Sequence, residues 1–194
     1  MSAAKPSRFT ILANPTRFLE LSGRLQPWLY ALALIALAVG LTLGFRAPPD
    51  YQQGATVQIM FIHVPFAWLS MMIWTVMSVS ALGTLVWRHP LADVAVKAAA
   101  PIGAVFTALA LITGFVNIPI IKFSVDWWNT LHQSASVIRV DGPAMPPVFL
   151  IPLLVSAAGF TLLFFALHLT AMRTEVLRRR VAALSRLAAR RAEA

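Results

Sequence analysis

A chain of 194 residues that is 59% hydrophobic and only 12% charged is too apolar for a water-soluble domain, where apolar content sits nearer half and charge nearer a quarter. Its formal net charge of +9, from 16 Lys and Arg against 7 Asp and Glu, points to an anionic membrane surface or a nucleic acid, and the placement of the charges decides between them. The absence of Cys excludes a disulfide framework, a thiolate metal site and the C-x-x-C-H signature of a c-type cytochrome.

Crossing about 30 Å of hydrocarbon takes about 20 helical residues. Apolar runs of that order lie at 28–45, 59–86, 94–121 and 148–170, so the expected fold class is all-α, a polytopic integral membrane helical bundle with four transmembrane helices. Polar or helix-breaking stretches separate them: Arg46-Ala47-Pro48-Pro49-Asp50, then Arg88-His89-Pro90, then 122–147 with Asp141-Gly142-Pro143 inside it. Pro101, Pro119 and Pro152 fall within spans, where neighbouring helices re-satisfy the backbone. The first span is read as a retained anchor rather than a signal peptide, because a long segment precedes it and no small-residue cleavage pattern follows Phe45. The organisation is a cytoplasmic N-terminal segment at 1–27, a transmembrane domain at 28–170 and a basic cytoplasmic tail at 171–194.

Placing both termini in the cytoplasm puts thirteen Lys and Arg inside against Arg46, Lys122 and Arg139 outside, which satisfies the positive-inside rule. In the tail, Arg178, Arg179, Arg180, Arg186, Arg190 and Arg191 alternate with Leu177, Val181, Leu184 and Ala188 at helical spacing. This is a basic amphipathic helix, and the positive-inside bias already demands its charge, so the lipid bilayer is the expected partner and nucleic acid is not.

In that topology His63 and His132 fall outside, His89 and His168 inside. His63 stands about one turn inside the outer end of the second span with no charged neighbour in sequence, so it is either a ligand or is satisfied by a neighbour. His132 follows Asp126-Trp127-Trp128-Asn129-Thr130-Leu131, and in a helix Trp128 shares its face. Two imidazoles from different span ends suit the axial positions of an iron porphyrin, with Trp127 and Trp128 over its apolar edge and Arg or Lys at its propionates. Interfacial belt anchoring for the tryptophans and plain hydrogen bonding for the histidines are the alternative readings. Asp50-Tyr51-Gln52-Gln53-Gly54 reads as a solvated loop, His89 as a turn residue and His168 as an interfacial histidine.

Several of these stretches have a familiar form. Ala47-Pro48-Pro49-Asp50-Tyr51-Gln52-Gln53-Gly54, Phe61-Ile62-His63-Val64-Pro65, Ala100-Pro101-Ile102-Gly103-Ala104-Val105-Phe106-Thr107 and Asn117-Ile118-Pro119-Ile120-Ile121, running on to Asp126-Trp127-Trp128-Asn129-Thr130-Leu131-His132-Gln133, together resemble the heme exporter protein C family of bacterial cytochrome c maturation. The resemblance runs in order from about Pro27 to Arg173. It implies noncovalent, transient b-type heme binding with His63 and His132 as the axial ligands of the iron, at the outer face of the bacterial inner membrane, for delivery and export in c-type cytochrome biogenesis. It also implies the membrane-anchored heme chaperone of that pathway and ABC-transporter-like subunits as partners.

The chain departs from the family in one respect. Members usually have six spans and an outer segment of the form W-G-x-W-W-x-W-D between the third and fourth. Here Leu109-Ala110-Leu111-Ile112-Thr113-Gly114, which looks like the end of the family's third span, passes directly into Phe115-Val116-Asn117-Ile118-Pro119, which looks like the end of its fifth. About two helices and the tryptophan-rich segment are missing, an even number of crossings, so His63 and His132 stay on one side.

No Ser-His-Asp set, paired carboxylates or G-x-x-x-x-G-K loop is present, so the expected role is a binding and transport component rather than an enzyme. The alternative is a bis-histidine membrane cytochrome b for electron transfer, pairing His63 with His132 outside and His89 with His168 inside.

Overall fold

The computed structural model describes residues 14–50, 54–127 and 145–193, with residues 117–127 as helix backbone only. Four helices, α1 (Pro15–Phe45), α2 (Met60–Trp87), α3 (Pro90–Trp127) and α4 (Pro147–Ala192), and a 3₁₀ turn at Ala55–Ile59 make up nearly all of it. All four carry stretches long and apolar enough to cross a membrane. Large apolar side chains such as Trp74 (70% exposed) and Phe115 (75% exposed) point away from the bundle, as they do where lipid rather than water is the surrounding medium.

The helices outrun the apolar stretches. α1 starts at Pro15 rather than near Trp28, because Asn14 caps it, its Oδ1 accepting from the Thr16 amide at 2.9 Å, and Pro15 supplies a pre-set first turn. Pro27 sits inside α1 without ending it. α4 continues unbroken through the arginine-rich tail, 46 residues or roughly 70 Å of helix at 1.5 Å per residue. Side chains at the basic end tie this extension down. Arg173 donates to the Leu19 carbonyl and, at 2.9 Å, to Ser22 Oγ; Arg179 meets Asp93 at 2.5 Å; Arg180 reaches Thr16 Oγ1 at 2.7 Å. Leu91, Val94, Ala98, Met172 and Val176 pack beneath these contacts.

α1 lies along α4 and α2 along α3. The first pair approaches closely because two glycines lie at the contact: a Cβ on Gly40 would fall 2.6 Å from the Ser156 amide nitrogen, and one on Gly159 would fall 2.8 Å from that of Leu37. Small residues let helix backbones close up in lipid, where no hydrophobic drive brings helices together. Gly159→Ala is therefore expected to push α1 off α4 and to destabilise the bundle by about 1–3 kcal/mol, the usual cost of overpacking. Thermal unfolding in detergent checks this, with Gly83→Ala as the milder comparison, since a Cβ there meets only the Ala92 methyl, at 3.3 Å. Equal melting of the two variants would mean that the α1–α4 contact is looser than described.

At mid-height Phe66, Leu69 and Ile73 of α2 meet Ala99 and Phe106 of α3 and Phe160 and Phe164 of α4. Phe66 is the centre of this cluster, its ring 5.6 Å from that of Phe106 and 4.9 Å, edge-on, from that of Phe160. A second cluster, Ala47, Val57, Phe61, Phe149 and Leu153, closes the end opposite the arginines. His63 lies between the two clusters in sequence, so packing two residues before it and three after it holds the backbone that carries it.

Candidate functional site

His63 is the fourth residue of α2, at the end of its first turn, and is half-buried. Its Nδ1 lies 2.9 Å from Thr113 Oγ1 of α3. Gly114 lets α3 come close to the ring, since a Cβ there would stand 3.2 Å from His63 Cε1. Beside this pair opens a cleft of about 440 Å³ lined by Phe45, Ala55, Ile59, Ile62, Ile112 and Val116, with Thr56, Gln58 and Thr113 as its polar members. The lining thus includes His63's sequence neighbour and its hydrogen-bond partner. Arg46 follows Phe45 at the end of α1 and is exposed.

This arrangement can do two things chemically. It offers a largely apolar surface at the end of the bundle, of a size within the range of small-molecule sites. It also holds an imidazole by one nitrogen, leaving the other to act.

Of the expected site residues the structure thus places His63. Trp127 is the last residue of α3, described as backbone, and Trp128 and His132 lie outside the described residues. Among the described residues no three His, Asp or Glu side chains gather as metal ligands.

His89 and His168 are separate from this region. His89 follows the left-handed Arg88 (φ 47) that ends α2, its amide donating to the Gly83 carbonyl at 3.3 Å. His168 is buried (7% exposed) and stacked on Phe164 at 5.4 Å.

Thr113, Gly114 and the cleft wall were not singled out from sequence as functional. The only signal was a hydroxyl and a glycine side by side in an apolar run.

The sequence profile for heme exporter protein C matches residues 8–116 and 112–187, most of the chain. The chain belongs to the heme exporter protein C family. It is 52% identical over 235 residues to a heme exporter protein C of Bradyrhizobium diazoefficiens, covering 93% of this chain and 89% of that one. It is 37% identical over 228 residues to that of Paracoccus denitrificans (89% and 95%) and 35% identical over 222 residues to that of Escherichia coli K12 (86% and 89%).

These alignments also measure the missing segment. In the first, 93% of 194 residues is about 180, so about 55 of the 235 aligned positions have no counterpart in this chain, and the other two give the same figure. That is enough for two spans of about 20 residues and their connection. The two matched stretches meet at residues 112–116, inside α3, so the 38-residue helix Pro90–Trp127 runs unbroken across the junction. At roughly 57 Å, it is nearly twice the hydrocarbon thickness.

Proposed function

We propose that this chain binds heme noncovalently at the outer face of the bacterial inner membrane and passes it on for c-type cytochrome biogenesis. The observation that carries the reading is a half-buried His63, in the family's Phe61-Ile62-His63-Val64-Pro65 motif, held through Nδ1 beside an apolar cleft. His63 and His132 are the axial ligands of the iron. Trp127 and Trp128 lie against the porphyrin, and Arg46, one residue from the cleft wall, answers a propionate. Both termini are cytoplasmic, an orientation supported by the thirteen Lys and Arg it places inside against three outside. The recipient is the membrane-anchored heme chaperone of the pathway, working with transporter-like subunits that supply any ATP-dependent step. The chain itself is a carrier and not an enzyme.

A carrier has to release what it binds. Hemin titrated into the purified chain in detergent is expected to give a low-spin spectrum, and excess heme-free globin is then expected to draw the heme away. A chain that kept stoichiometric heme through that challenge and cycled reversibly with a redox partner would be an electron-transfer cytochrome b instead. A chain that gave no spectral change would be a scaffold without a heme site.

A further inference from the structure

The contact between His63 and Thr113 determines more than position. A threonine hydroxyl has one proton and two lone pairs. Thr113 Oγ1 lies 2.9 Å from His63 Nδ1, but it also lies 2.8 Å from the Leu109 carbonyl oxygen and 3.1 Å from that of Ala110. Carbonyls only accept. Were the hydroxyl proton directed at the imidazole, Oγ1 and the Leu109 oxygen would face each other at 2.8 Å with no proton between them, two negative ends of dipoles in a poorly screened interior. The proton therefore goes to the α3 backbone, and Oγ1 accepts from His63 Nδ1–H. A neutral imidazole carries a single N–H, so Nε2 is left with its lone pair, the form in which histidine binds a metal.

We infer that Thr113 is the positioning residue of the site: its hydroxyl, anchored on Leu109, holds His63 as the Nδ1–H tautomer and leaves the Nε2 lone pair for the iron. This rests on the reading of His63 as a heme ligand. Gly114 serves the same end by leaving room for the ring edge at Cε1. Two consecutive residues of α3 thus set the tautomer and the approach of a ligand fifty positions earlier in the chain.

The test uses the full chain with ¹⁵N-labelled histidine, purified without heme in detergent. The ring signals of His63 are assigned by their loss in His63→Ala. The expected result is a protonated Nδ1 and a bare Nε2. Thr113→Val, which keeps the shape and removes the hydroxyl, is expected to shift the ring toward the Nε2–H tautomer and to weaken hemin binding about tenfold, in the range by which partners of metal-bound histidines act. Thr113→Ser restores both if the hydroxyl is the cause. A His63 tautomer unchanged by Thr113→Val, or a Thr113→Ser chain as impaired as the valine variant, would overturn the inference. A His63→Ala chain that binds hemin as tightly as the unaltered one is a different result, and it would remove the ligand reading itself.

Discussion

Replacing His63 with alanine is expected to lower the heme that copurifies with the chain tenfold or more at matched expression and to abolish its low-spin band. His132→Ala is expected to do the same, and His89→Ala to do neither. The reason is coordination. Removing one axial imidazole takes away an iron–nitrogen bond and leaves a position that water fills poorly, and a tenfold loss needs only about 1.4 kcal/mol. His89 is the informative control because it lies just beyond the far end of α2, 26 residues from His63, or roughly 40 Å along a helix. No single heme spans that distance. Equal loss from all three substitutions would instead favour two bis-histidine sites and the cytochrome alternative.

Restoring the segment that relatives carry at residues 112–116 is expected to raise heme affinity more than tenfold and to give a chain that loads the heme chaperone, where the present chain loads it poorly. Axial imidazoles fix the iron, but much of heme's binding free energy comes from burying the faces of the macrocycle, at ~25 cal/mol per Å² removed from water. About 100 Å² of added indole contact contributes ~2.5 kcal/mol, already more than a factor of ten. Among the described residues the cleft beside His63 is lined by aliphatic groups and Phe45 rather than by tryptophan. The same insertion also resets α3, whose continuous run across the junction fixes where Trp127 emerges relative to His63. The comparison is heme content and chaperone-bound heme for both chains at matched levels. Equal loading would show the tryptophan-rich segment to be dispensable.

The apolar runs made the four crossings legible, because bilayer thickness imposes a length that few other structures need. They under-read the helix ends. At Asn14–Pro15 the start is set by a side-chain cap and a proline, which hydropathy does not register, and the long end of α4 is held by Arg173, Arg179 and Arg180 on partners far away in sequence. The first apolar run begins only after Pro27, which lies within α1.

At the site, His63 stood out because an imidazole in an apolar span demands a partner. The partner itself was hidden, since Thr113 lies on another helix and nothing local to an apolar Ile-Thr-Gly run distinguishes a hydroxyl that meets an imidazole across the bundle from one that only bonds its own helix. Thr113 does both. Gly114 was equally silent, as its role is an absence of atoms at one close approach.

The proposed carrier holds heme loosely and on the outer side. Sealed membrane vesicles of both orientations, containing the heme-loaded chain, are mixed with heme-free globin, which does not cross the bilayer. Transfer of heme to the globin from right-side-out vesicles, absent from inside-out vesicles and abolished by His63→Ala, is the predicted result. Transfer from inside-out vesicles alone, or retention of heme in both orientations, would contradict it.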